Sequence, residues 1–158
     1  MFSRMVDVEE AARLLDLDDR AELDRAVAEG ALEVGKKGKD GDRLRLSDVV
    51  VFKLAAELRH VGVDRHKSFR YSEAVLGQRL ETHDRNPVDW VENEEQELFC
   101  LIEDGQLTRI FLRGKEDPRE VDVGAVKPVL FPVTRCEINV FRVIRPVIYK
   151  ARQMDNPK

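Results

Sequence analysis

The stretch DVEEAARLLDLDDRAELDRAVAEG, residues 7–30, places two short amphipathic segments side by side. The first has apolar residues at helical spacing, and Asp7 followed by Glu10 fits the spacing of a capping box. Two aspartates at 18–19 supply an N-cap for the second segment, whose apolar stripe stops at Gly30. Because only about three residues separate the segments, the pattern predicts two helices joined by a tight corner.

The next stretch, ALEVGKKGKDGDRLRL at residues 31–46, has alternating apolar residues on both sides of a glycine- and lysine-rich tip. This pattern predicts two short strands. Residues 47–48, Ser-Asp, are expected to cap a third helix that Gly62 closes. Asp64 then caps a fourth predicted helix that extends to Leu80.

The composition changes after residue 80. Residues 81–96 are polar and acidic and are expected to form a linker. Apolar segments flank Asp104-Gly105, a pair that favours a two-residue type I′ turn, so a β-hairpin is predicted there. The β-branched and aromatic residues that follow, including Val140 to Ile148, predict further strands. The predicted class is α+β, with a first domain at 1–80 and a β-rich unit at 97–152. That unit is a candidate for dimerisation, and whether it packs back on the first domain stays open.

Charge is distributed unevenly along the chain. The formal net charge is −4, but residues 1–35 hold four Arg and ten Asp or Glu, a net of −6. Residues 36–70 hold ten Lys or Arg and five Asp or Glu, a net of +5. Clustered charge of one sign creates a local field even on an acidic molecule. A functional surface is therefore expected in this basic stretch.

The ordered set of elements resembles the winged helix-turn-helix domain of MerR-like and excisionase-like regulators, over residues 1–80 only. The resemblance is carried by the segments Val8–Leu15, Glu29–Leu32, Arg43–Asp48 and Leu58–Val63. It implies that the helix near residues 19–29 enters the major groove while the two-stranded wing touches phosphates. It further implies a transcriptional regulator that binds double-stranded DNA, acting as a homodimer on paired half-sites.

The same resemblance suggests which side chains contact DNA. Arg20 and Arg25 are the candidates for reading base edges, because arginine pairs with guanine in the major groove. Contacts to the phosphate backbone are expected from the lysine-rich wing. The complete predicted set is Arg20, Arg25, Lys36, Lys37, Lys39, Arg43, Arg45 and Arg65.

A second function fits the same pattern. The predicted second helix is acidic, with five carboxylates at Asp18, Asp19, Glu22, Asp24 and Glu29. Carboxylates repel the phosphates that supply most of the affinity for DNA. The chain is therefore alternatively an adaptor whose acidic helix binds a protein partner.

Other classes of function find no support in the residues. The chain has no nucleophile elbow, dinucleotide fingerprint or phosphate loop, so we expect neither an enzyme nor a cofactor. Cys100 and Cys136 lack cysteine neighbours at metal-ligand spacing and are expected to be reduced core thiols. The three histidines match no standard metal site either. Without a membrane-spanning apolar run or a secretory signal, we expect a cytoplasmic protein with no membrane partner.

Overall fold

An aspartate caps the start of the first helix, and a glycine follows the end of the second. The computed structural model describes residues 1–32, 34–38, 41–82, 91, 95–124 and 127–155. In it, α1 spans Val8–Leu14 and α2 spans Ala21–Ala28. The carboxylate of Asp7 accepts a hydrogen bond from the backbone N–H of Glu10 at 2.7 Å, which confirms the predicted cap. Gly30 follows α2 with a φ of +70°, a conformation that glycine adopts without strain.

The corner between α1 and α2 is longer than the sequence predicts. Residues 15–20 separate the two helices instead of about three. The chain reverses at Asp16, whose φ is +56°, and Leu17 packs partly buried against the core. The predicted cap of α2 at residues 18–19 is wrong, because the N-cap residue is Arg20; the carboxylate of Asp19 instead accepts a hydrogen bond from the backbone N–H of Ala21 at 2.9 Å.

Three short strands form the first sheet: β1 at Met5–Asp7, β2 at Val34–Gly38 and β3 at Gly41–Arg45. The order is β1-β3-β2 and both pairings are antiparallel, so β2 and β3 form the expected hairpin. The sequence did not predict β1. Its three residues pair with β3 across about 40 positions of chain, and such a short strand carries no periodic signal of its own.

Helices α3 at Leu46–His60 and α4 at Arg65–Thr82 pack against each other. The predicted cap of α3 at residues 47–48 is wrong, because the helix begins before it and Arg45 is the N-cap residue. Asp48 acts from inside the first turn, where its carboxylate accepts a hydrogen bond from the backbone N–H of Arg45 at 3.0 Å. Asp64 accepts from the N–H of His66 at 3.0 Å, as expected for the start of α4.

The second sheet has four antiparallel strands in the order β6-β5-β4-β7. These are β4 at Gln96–Glu103, β5 at Gln106–Gly114, β6 at Glu120–Gly124 and β7 at Arg135–Asn139. Between β4 and β5, Asp104 and Gly105 have φ of +49° and +73°. Two consecutive positive φ angles define the type I′ turn, so the predicted hairpin is confirmed.

A helix lies at residues 140–155, where the sequence predicts strands. Helix α5 spans Val140–Asp155 and includes Pro146. The residues buried along it are Val140, Phe141, Ile144, Val147, Ile148 and Ala151. Their spacing follows a helical period, and they pack on α3 and β4. Burial of this face outweighs the β-propensity of valine and isoleucine, while Pro146 is exposed on the other side.

Both halves of the chain contribute to one apolar core. Leu23 of α2, Leu54 of α3, Cys100 of β4 and Ile144 of α5 all belong to the same buried cluster. Arg4 ties the two termini together, donating to the backbone oxygen of Ala151 at 3.2 Å. The predicted linker, residues 81–96, lies mostly outside the described residues. The observed class is mixed α+β, with five helices and two antiparallel sheets in the described part of the chain.

Candidate nucleic-acid interface

Helix α2 presents a charged, solvent-exposed face. Only Leu23 and Ala26 of this helix are buried, and both belong to the core. The other positions, apart from the half-buried Val27, point to solvent. The C-terminal helix packs on α3, β4 and α1, which leaves this face of α2 open.

The two arginines predicted to read bases already pair with carboxylates of α2 and its cap residues. Arg20 donates from Nε to Asp24 at 3.1 Å, and Arg25 donates from Nε to Glu29 at 2.7 Å. Both pairs have the i,i+4 spacing that stabilises exposed helices. The Glu29 partner raises the pKa of Arg25. Each arginine must leave its carboxylate before it can contact a base.

A second group of ion pairs connects α2 to the α3–α4 corner. Arg65 donates to Glu22 at 2.9 Å and to Glu29 at 3.1 Å, and Arg59 donates to Glu22 at 3.1 Å. We call these four residues the α2 clamp. The hydrogen bond from Arg59, followed by that from Arg65, lowers the pKa of Glu22. The side chain of Arg65 is only 17% exposed and also lies 5.9 Å from the ring centre of Phe69.

The structure therefore places Arg65 in ion pairs with two carboxylates of the α2 segment, at a mostly buried position. The sequence did not predict the clamp, because its partners are far apart along the chain. Arg65 is 36 positions from Glu29 and 43 positions from Glu22. No local spacing rule connects such residues. The acidic character of α2 did contain a signal, since its segment holds five carboxylates but only two cations of its own, Arg20 and Arg25.

A groove of about 500 Å³ separates α2 from the β2–β3 hairpin. Four carboxylates and one guanidinium line it, together with three apolar residues of the two helices. The charged members are Asp7, Glu9, Arg20, Asp24 and Asp42. The floor between the predicted recognition helix and the predicted wing is thus acidic.

The hairpin supplies the other predicted contacts. In the β2–β3 register, Lys36 lies opposite Arg43 and Lys37 lies opposite Asp42. The side chain of Arg43 is exposed, as is that of Arg45 at the end of β3. Lys39 lies outside the described residues. The backbone thus brings two of the predicted cations, Lys36 and Arg43, to directly opposed positions.

The described residues provide no group of three His, Cys, Asp or Glu side chains that would hold a metal ion. Cys100 and Cys136 are free thiols, as expected. Burial raises the pKa of Cys100 to about 12, which makes it a poor nucleophile. No helix in the described ranges has the length and hydropathy needed to cross a bilayer.

The outer face of the four-stranded sheet carries an arginine and aromatic cluster that the sequence did not predict. Phe99 and Phe111 stack with ring centres 5.5 Å apart, and Arg113 lies over Phe99 at 4.6 Å. Arg113 also donates to Glu137 at 2.6 Å and to Glu120 at 2.6 Å. The cluster covers the apolar rings with paired charges, so this face is polar on its surface.

Comparison with known protein families finds no family model that matches the chain, and comparison with curated proteins finds no significant match.

Proposed function

We propose that the chain is a DNA-binding transcriptional regulator of the winged helix-turn-helix type, which binds double-stranded DNA as a homodimer. The observation that carries this proposal is the β2–β3 register, which sets Lys36 opposite Arg43 in a hairpin that shares a groove with α2 through Asp42. A helix for the major groove and an adjacent cationic hairpin for the phosphates are the two parts that such a module needs.

The acidic groove limits how α2 engages DNA. The hairpin supplies the attraction to phosphates, and α2 contributes only after Arg20 and Arg25 exchange their carboxylates for bases or phosphates. Binding is therefore expected to be strongly salt-dependent and to be dominated by the hairpin. The α2 clamp holds the helix in place while that exchange occurs.

Charge reversal in the hairpin tests the proposal. The triple change Lys36→Glu, Lys37→Glu and Arg43→Glu should weaken retention on duplex DNA. It should also lower the slope of log Kd against log salt concentration by about 2 to 3, since each phosphate contact contributes about 0.9 to that slope. The measurement is a salt-titrated binding assay on genomic fragments.

A matched variant separates local contacts from total charge. Lys115→Glu, Lys127→Glu and Arg152→Glu change the net charge by the same amount at exposed positions outside the hairpin. This control should keep most of the salt dependence. Equal losses in both variants, or no binding by the unmodified chain, would contradict the proposal.

A second candidate function is favoured by the groove itself. Four carboxylates between α2 and the hairpin form a surface for a basic protein segment, as in an adaptor. Asp24 is the best residue to change, because Asp19 contacts the backbone of Ala21 and Glu22 belongs to the clamp. Asp24→Asn removes a charge from the groove and releases Arg20.

The two functions predict opposite results for Asp24→Asn. A DNA reader gains affinity for duplex DNA, since one repulsive charge is lost and one arginine is freed. An adaptor captures less of its basic partner in a pull-down, because the groove has lost one carboxylate. Glu116→Gln, at an exposed position away from the groove, is the control for both assays.

A further inference from the structure

The segment before β7 exposes an unusual amount of apolar surface. Residues 128–134, PVLFPVT, contain no charged side chain, although 37% of the chain is charged. Leu130, Phe131 and Val133 are 82%, 95% and 92% exposed. Single exposed apolar residues are ordinary, whereas neighbouring ones in a contiguous patch mark an interaction surface. We call residues 128–134 the apolar loop.

The apolar loop is held in a defined shape at its end. The carboxylate of Asp104 accepts hydrogen bonds from the backbone N–H of Thr134 at 2.8 Å, from its hydroxyl at 2.9 Å and from the N–H of Val133 at 3.2 Å. Phe131 has a φ of +53°, a left-handed conformation that is costly for an aromatic residue. A surface that is ordered in advance loses little entropy on binding.

We propose that the apolar loop is the contact through which two copies of this chain associate. This inference rests on the proposed function in one respect, since a reader of paired half-sites has to be a two-fold dimer. A two-fold contact uses the same patch on both copies, so the patch has to be self-complementary. An uncharged apolar surface meets that condition, whereas the acidic surfaces of a chain with net charge −4 repel their own copies.

The exposed area is sufficient for such a contact. Two large aliphatic side chains and one phenylalanine that are almost fully exposed offer roughly 500 Å² on each copy. Two copies together bury roughly 1,000 Å², the lower limit for a specific interface. β7 follows the apolar loop directly and is an edge strand of the described sheet.

The test is the oligomeric state of the full chain, measured by sedimentation equilibrium without DNA. Phe131→Asn removes the aromatic ring but keeps a residue that tolerates the left-handed conformation. It should weaken the dimer by about 30-fold, the effect of a central contact residue worth about 2 kcal/mol. Val121→Ser, at another exposed apolar position, is the matched control and should leave the dimer unchanged.

Circular dichroism and thermal melting show whether each variant remains folded. A folded Phe131→Asn chain that stays dimeric would overturn the proposal, as would an unmodified chain that is monomeric at all concentrations. A third result would also overturn the proposal. If the unmodified chain sediments with anionic phospholipid vesicles and the Phe131→Asn chain does not, the apolar loop binds a lipid surface. Because DNA takes no part, a dimer that depends on Phe131 supports the inference even if the proposed DNA binding fails.

Discussion

Replacing Arg65 by alanine should loosen α2 without removing a phosphate contact. Arg65 bridges Glu22 and Glu29 from the start of α4, with a side chain that is mostly buried. Glu22 is partly exposed, so solvent screens its pair with Arg65 to about 0.5 to 1 kcal/mol. The lost packing of the arginine stem against Phe69 adds a similar amount. The expected destabilisation is therefore about 1 to 2 kcal/mol.

Thermal and chemical unfolding measure this effect. For a chain of this size, the expected loss lowers the melting temperature by about 2 to 8 °C. A double-mutant cycle with Arg65→Ala and Glu22→Gln isolates the pair and should give a coupling energy of about 0.5 to 1 kcal/mol. Arg70→Ala, on the exposed side of the same helix, is the control and should change stability by less than about 0.5 kcal/mol.

The pH dependence of the coupling follows from Glu22. Its pKa in the folded chain is lower than its ordinary value of 4.5, because the hydrogen bonds from Arg59 and Arg65 favour the carboxylate. A group with a lowered folded pKa contributes stability that is fully present above the unfolded pKa and is lost as the pH falls through the folded pKa. The coupling should therefore be constant near neutral pH and decline below about pH 4.5.

Two results would refute the clamp. One is a coupling energy within about 0.3 kcal/mol of zero, which is the scatter expected for independent sites. The other is a slope of log Kd against log salt concentration for DNA binding that falls by about 0.9 in Arg65→Ala, because a decrease of that size indicates one lost phosphate contact. If the clamp is correct, affinity falls in this variant while the salt dependence stays unchanged.

Three further predictions concern stability and reactivity. Pro146→Ala should stabilise the chain by about 1 to 3 kcal/mol in urea unfolding, since proline removes one hydrogen bond inside α5; an unchanged midpoint would contradict this. Gly105→Ala should cost about 1 to 2 kcal/mol by thermal melting, because φ is +73° and the new Cβ would lie 3.1 Å from the backbone oxygen of Gly62. A thiol reagent at pH 8 should label the native chain at Cys136 alone, because Cys100 is buried with a pKa of about 12; labelling of both thiols at equal rates would show that this interior opens readily.

Local signals in the sequence predicted several features correctly. Asp7 and Asp64 accept hydrogen bonds from first-turn backbone N–H groups, and Gly30 and Gly62 take positive φ at the ends of α2 and α3. The turn at Asp104 and Gly105 forms as predicted. Each of these features depends on residues within four positions of one another, so the physical cause is present in the local sequence.

The main error concerns α5. Residues 140–151 contain both a helical period and many β-branched residues, and these two signals disagree. Propensity favoured strands, but the packed apolar face on α3 and β4 determines the outcome. Pro146 lies at an exposed position within this packed helix, which accommodates a proline at a cost.

The contacts of the candidate site, like α5, could be predicted from the sequence only in part. The charges of α2 and the hairpin can be counted from the sequence, and their positions on adjacent elements follow from the predicted corner and strands. Which carboxylate meets which arginine cannot be derived in this way, because Glu22 and Arg65 are brought together only when α2 packs against the start of α4. The apolar loop did have a sequence signal, since its seven uncharged residues stand out in a highly charged chain.

The amino-acid sequence by itself determined the helix caps at Asp7 and Asp64, the turn at Asp104 and Gly105 and the separation of acidic from basic stretches, because each of these is set within a short stretch of chain. Only the tertiary structure decided that the last apolar stretch is a helix, that Arg65 holds α2 instead of facing solvent, and that residues 128–134 stay uncovered. These outcomes depend on which distant surfaces meet, and burial and ion pairing between such surfaces outweigh local preference.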